Sequence, residues 1–162
     1  MWSRKAVWTN KMLVVAGAAA ALLSACSPPQ PVWGEQINPP DHVIYTNSTG
    51  MGTLEPGDSL VNQGGIVGEN PSASGITGLW LQNGGTALNS GAISLSGNGG
   101  NVYGVFCDDG TVGNVVNTGS IAVTNVDAAS GGTATAVGIY LKRGGTASNT
   151  GSIMARSKNA CG

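Results

Sequence analysis

Few side chains in this sequence are placed to do chemistry. Leu23-Ser24-Ala25-Cys26 sets a thiol directly after two small residues, where a peptidase could reach the preceding bond and the thiolate could then act as a nucleophile. Asp108 and Asp109 form an adjacent pair of acids. Paired carboxylates serve glycoside cleavage, or they begin a cation site that needs about six to eight oxygens. No third carboxylate, His, Lys or Arg recurs at a register that sets it beside the pair, so a solvated turn is expected. The single histidine, His42, has only Asp41 near it and reads as a solvated loop residue rather than a metal ligand. Trp80, Phe106 and Tyr140 are a different matter, because they recur at matching positions of an internal repeat.

Around Cys26 the sequence reads as an address. Arg4, Lys5 and Lys11 form a positive leader, and residues 12–23 are an uncharged apolar run. That run falls short of the roughly 20 residues a bilayer-spanning helix needs and suits the core of a signal peptide. With Leu23-Ser24-Ala25-Cys26 it resembles the lipobox of bacterial lipoprotein precursors. The resemblance implies cleavage before Cys26, acylation of its thiol, and firm anchoring by two or more chains. Ser27, where retention signals of enteric lipoproteins carry Asp, implies the outer membrane. Residues 1–25 are therefore expected to be signal peptide and residues 26–45 a lipidated, proline-rich tether. Pro28, Pro29, Pro31, Pro39 and Pro40 stiffen that tether and keep it out of sheets. Residues 46–162 remain for the folded domain.

Composition bounds that domain. Glycine supplies 27 of 162 residues, charged residues only 9% and aromatics 5%. So little aromatic mass rules out a core of large rings, and 41% hydrophobic residues in regular alternation argue against disorder. A formal net charge of −1 gives no electrostatic footprint for nucleic acid and no polybasic membrane patch.

From about residue 46 the chain repeats. The core Asn-x-Gly-x-Ile occurs at Asn62, Asn89, Asn117 and Asn149, spaced by 27, 28 and 32 residues. Gly64, Gly91, Gly119 and Gly151 follow two positions later, then Ile66, Ile93, Ile121 and Ile153. Gly78-Leu79-Trp80-Leu81, Gly104-Val105-Phe106-Cys107 and Gly138-Ile139-Tyr140-Leu141 precede the core in three units. A fixed period of this size signals stacked structural units. Glycine at this density would cost a helix about 1 kcal/mol per site. Each period instead offers three short β-runs, in the second unit residues 76–82, 86–89 and 92–96. Three strands and three turns make one coil of a parallel β-helix, which buries its apolar face only by stacking.

The expected fold is therefore all-β, a short parallel β-solenoid of about four coils, right-handed as parallel crossovers are. Leu79 and Leu81 should face inward above Val105 and Cys107, then Ile139 and Leu141, with the four isoleucines as a second interior column. The asparagines should stack at one turn and bond to one another, and the glycines after them should take positive φ. A loop over residues 125–132 should absorb the longer last interval. Trp80, Phe106 and Tyr140 should project outward, either as a stripe that holds sugar rings or as a ladder that only covers the sheet; reversed alternation would turn them inward. Cys107 should be a small buried thiol. Cys161, about two coils or 10 Å away, should be too far for a disulfide unless the tail folds back.

The stretch from Gly138 to Ile153, Gly-Ile-Tyr-Leu-Lys-Arg-Gly-Gly-Thr-Ala-Ser-Asn-Thr-Gly-Ser-Ile, resembles the passenger β-helices of bacterial autotransporters and related surface adhesins, and the likeness runs over about residues 50–156. It implies architecture more than activity. An autotransporter continues into a membrane β-barrel, whereas this sequence stops at Gly162. Either lipid replaces the barrel as anchor or the sequence is a truncated, non-functional passenger fragment. The functional expectation is a non-enzymatic, adhesin-like lipoprotein at the envelope or cell surface, binding glycan or protein, with no cofactor, metal or nucleic-acid partner. The alternative is a carbohydrate lyase or hydrolase. Open solenoid ends would allow end-to-end association.

Overall fold

The computed structural model describes residues 34–53, 55–72, 74–108, 112–128 and 135–159. The expected signal peptide, Cys26, Asp109 and Cys161 lie outside them. The described strands are all β and pair in parallel. The first coil comprises β1 (Glu35–Asn38), β2 (Val43–Thr46) and β3 (Thr49–Thr53). The second comprises β4 (Ser59–Asn62), β5 (Gly65–Asn70) and β6 (Ile76–Leu81). The third comprises β7 (Gly85–Asn89), β8 (Ala92–Asn98) and β9 (Val102–Cys107). The fourth comprises β10 (Gly113–Asn117), β11 (Ser120–Ala128) and β12 (Ala136–Leu141), and a partial fifth adds β13 (Gly145–Asn149) and β14 (Ser152–Asn159).

Three sheets run along the stack. The first is ordered β1-β4-β7-β10-β13, the second β2-β5-β8-β11-β14 and the third β3-β6-β9-β12. The molecule is thus a β-solenoid of about four turns. It begins earlier than the sequence suggested: Glu35 to Asn38 pair with Ser59 to Asn62, and Val43 to Thr46 with Gly65 to Gly68. Residues 35–45 are a coil rather than tether. The prolines that suggested otherwise, Pro39 and Pro40, sit in the turn between β1 and β2, where no ladder hydrogen bond is asked of them.

Register follows the repeat. Leu79 lies beside Val105, which lies beside Ile139; Leu81 lies beside Cys107, then Leu141. Ile66, Ile93 and Ile121 are fully buried, while Ile153 in the last coil is 39% exposed because nothing described stacks on it. Each fully buried aliphatic side chain stabilises the fold by roughly 1.5–3 kcal/mol. Gly50, Gly78, Gly104 and Gly138 face those isoleucines, and a Cβ on any of them would run into an Ile Cγ2. The glycine column lets the second sheet's isoleucines press against the third sheet's backbone.

The asparagine ladder forms as expected and is longer by one rung. Asn38 Nδ2 donates to Asn62 Oδ1 at 2.7 Å, Asn62 to Asn89 at 2.7 Å, Asn89 to Asn117 at 2.6 Å and Asn117 to Asn149 at 2.7 Å. The backbone carbonyls of Asn38, Asn62, Asn89 and Asn117 each accept two N–H groups from the turn of the next coil, as Asn62 does from Ser90 at 2.8 Å and Gly91 at 3.1 Å.

Two expectations are corrected. Gly64, Gly91, Gly119 and Gly151 are not among the glycines with positive φ, which among described residues are Gly57, Gly84, Gly85, Gly99, Gly144 and Gly145. Their requirement is room. A Cβ on Gly91 would strike the carbonyl oxygen of Gly64, one on Gly119 that of Gly91, and one on Gly151 that of Gly119. Nor is residue 125 the start of a loop, because β11 continues to Ala128 with register irregularities beyond Asn125. Buried Asn125 holds that segment by donating to the Gly100 carbonyl at 2.6 Å.

These two glycine roles separate experimentally. Gly144 has φ +86° and open space around its Cβ position, so Gly144→Ala should cost only the left-handed strain, about 1–2 kcal/mol. Gly91→Ala must push two coils apart and should lower the urea midpoint clearly further. Equal losses in the two variants would contradict the close-approach account.

Candidate functional site

The outer surface of the third sheet carries the features that could bind. Strand alternation places Gly52, Trp80, Phe106 and Tyr140 in one outward column, paired rung to rung. The rings stack, Trp80 on Phe106 with centroids 6.4 Å apart and Phe106 on Tyr140 at 5.7 Å, with interplanar angles of 24° and 8°. Tyr140 is 41% exposed, and Trp80 and Phe106 are partly exposed. The expected ladder therefore lies outside the core. Next to this column, Thr49, Thr77, Tyr103 and Val137 form another.

Tyr103 was not anticipated. Strict alternation from inward Val105 sends residue 103 inward as well. The column of Gly50, Gly78, Gly104 and Gly138 breaks the alternation, because each glycine and the residue after it both meet the interior. Tyr103 consequently emerges beside the ladder, 4.8 Å from Phe106 and 5.7 Å from Tyr140. Burial among these rings, then the neighbouring Tyr140, raise the Tyr103 phenol above its ordinary pKa, against a hydrogen bond with Asn101 and the charge of Lys142. The glycine conserved in each aromatic motif of the repeat was the available signal.

Between these columns a groove of about 240 Å³ opens over Thr77. Trp80, Tyr103 and Phe106 supply its rings, and Ser48, Thr49, Thr77 and Asn101 its polar groups. The groove thus spans the first three coils. Trp80 Nε1 is shut from water without a hydrogen-bond partner among the described residues. An orphaned donor of this kind costs about 1–3 kcal/mol.

The remaining candidates divide. Asp108 is not alone in its turn, since Lys142 Nζ lies 3.1 Å from its Oδ1. The sequence reading missed this cation, although Asp108 and Lys142 each follow the aligned pair Cys107 and Leu141. Both groups are partly exposed, so the pair contributes at most about 1 kcal/mol. His42 lies exposed in the turn between β1 and β2, as expected, and it also has a partner. Its Nδ1 lies 2.7 Å from Asn38 Oδ1, the acceptor left over at the first rung of the ladder, so Nδ1 carries the proton there. Among the described residues no three His, Cys, Asp or Glu side chains cluster as metal ligands would. No described helix is long and apolar enough to cross a membrane. Cys26, Asp109 and the Cys107–Cys161 question fall outside the described residues.

Cys107 occupies a core position with no exposed surface, and Gly113 leaves room for its sulfur. Desolvation, then the charge of Asp108, raise its pKa above the ordinary 9.0, with a backbone hydrogen bond from Gly84 opposing.

No protein-family model matches the chain, and neither does a curated protein or a solved structure.

The Cys107 thiol sets an alkaline limit on stability. Above about pH 9.0 the thiol of the unfolded chain ionises while the buried one stays protonated, so unfolding releases a proton. Stability should therefore fall as pH rises from there toward the raised folded value. Urea titrations at stepped pH should show a shallower alkaline decline for Cys107→Val than for the parent chain. Identical slopes would contradict the assignment.

Proposed function

We propose that this chain is a non-enzymatic binding module of the bacterial envelope, held to the outer membrane by lipid on Cys26, that contacts glycan or protein at the cell surface through the aromatic-bearing face of its third sheet. The observation that carries this reading is the outward stack of Trp80, Phe106, Tyr103 and Tyr140. A soluble fold normally covers large rings, and partly exposed rings locked in register mark a surface that gains free energy when something covers it. The pairing of Asp108 with Lys142 favours a structural role for that acid over proton transfer. The solenoid suits an adhesin-like role, because coil stacking presents flat faces whose side chains change rung by rung while the core stays constant. The apolar run before Cys26, the small residues Ser24 and Ala25, and the prolines after it support export, lipidation and a short spacer.

Protease accessibility on intact cells tests this reading. Wild-type chain should be shaved from whole cells, and Cys26→Ser should be released from the membrane fraction. Protection of the wild type until the outer membrane is opened would place the module in the periplasm and overturn the surface role.

A further inference from the structure

We infer that the groove over Thr77 is a subsite for a neutral glycan, with one sugar ring seated against Trp80 and Tyr103. This rests on the reading of the third sheet's outer face as a contact surface and names its ligand. The location follows from the repeat. In the outward column Thr49, Thr77, Tyr103, two small side chains precede a ring, and in the neighbouring column Gly52 precedes Trp80. The aromatic ladder therefore starts abruptly at the second and third coils, and the space before it is the groove of about 240 Å³. That is below the roughly 300–1,000 Å³ of pockets enclosing drug-sized ligands, and it suits a single ring of a longer chain passing along the surface.

The chemistry of the lining selects among ligands. Sugar rings are amphipathic, with C–H faces that pack on aromatic rings and hydroxyls around the edge that need donors and acceptors. The groove supplies both kinds of group. Trp80, Tyr103 and Phe106 offer ring surface, and Ser48, Thr49, Thr77 and Asn101 offer hydroxyls and an amide. None of the lining residues carries a charge, so nothing there compensates a uronate, sulfate or phosphate. The unpartnered Nε1 of Trp80 fits the same picture, since a small rotation of the indole on ligand entry gives this donor a sugar oxygen and removes the cost of its isolation. Because the groove lies along three coils, the ligand runs with the solenoid axis, and rungs are spaced by about 4.8 Å.

Affinity electrophoresis tests the inference, using the purified full chain in detergent and gels cast with a neutral soluble β-glucan, a neutral galactomannan or acidic polygalacturonate. The parent chain should be retarded by at least one neutral polymer and not by the acidic one. Trp80→Ala and Tyr103→Leu should each weaken that retardation about tenfold, the scale of one lost ring contact. Tyr45→Ala, on the second sheet and 80% exposed, should leave it unchanged. Because Tyr103→Leu keeps apolar bulk on the sheet, it reports on binding even if Trp80→Ala folds poorly. Adherence of cells displaying the same variants runs alongside. No retardation in any neutral gel, with adherence nevertheless lost in Tyr103→Leu, would overturn the glycan assignment and point to a protein partner on the same face. No retardation and no effect of Tyr103→Leu on adherence would overturn the contact-surface reading as well. Retardation only by polygalacturonate would also refute the neutral subsite.

Discussion

Everything in this fold depends on one amide ladder keeping the coils in register. Asn38, Asn62, Asn89 and Asn117 each pass a hydrogen from Nδ2 to the next Oδ1, ending on Asn149, in a chain shielded from water over most of its length. Apolar columns alone would not fix the stack, because Leu, Val and Ile accept a neighbour two residues along nearly as well. A buried amide does not. A slip would leave its donors and acceptors unmatched in a medium where each orphan costs about 1–3 kcal/mol. The ladder therefore supplies specificity of pairing, and the isoleucine and leucine columns supply most of the stabilisation.

The ladder also has a direction, and its two ends differ. At the first rung the leftover acceptor, Asn38 Oδ1, meets His42 Nδ1. At the last, Asn149 Nδ2 reaches only the Gly151 carbonyl at 3.2 Å, in an exposed setting. The first end closes on a ring that carries its own donor, and the other frays into strands whose described residues are largely exposed. Because register is fixed from the ladder, the third sheet's outer face inherits it. Trp80, Phe106 and Tyr140 stack because their coils stack, and the groove exists because the first coil places Gly52 and Thr49, and the second Thr77, where later coils place rings.

Much of this was legible in the sequence because a stacked fold writes its core as a repeat. The period located the strands, Asn-x-Gly-x-Ile located the ladder, and alternation about Leu79 and Leu81 placed Trp80 outside. The first coil was hidden because Asn38 is followed by Pro39 and Pro40 in place of the usual x-Gly, and prolines suggest a tether. Tyr103 was hidden by alternation itself, which the glycine at 104 interrupts. The purpose of Gly91 and its equivalents could not be read from sequence, since positive φ and a close carbonyl select the same residue. Lys142 was obscured by the long last interval, although its place after Leu141 aligned it with Asp108.

The most direct test compares Asn89→Ala with Asn149→Ala by urea denaturation at neutral pH. Asn89 sits between two buried partners, so its loss strands Asn62 Nδ2 and Asn117 Oδ1 and should cost about 2–6 kcal/mol. Asn149 lies exposed at the end of the ladder and accepts from Asn117 alone, so its loss should cost about 1 kcal/mol or less. Similar small losses at both positions would mean that apolar stacking alone fixes the register, and the central role of the ladder would be wrong.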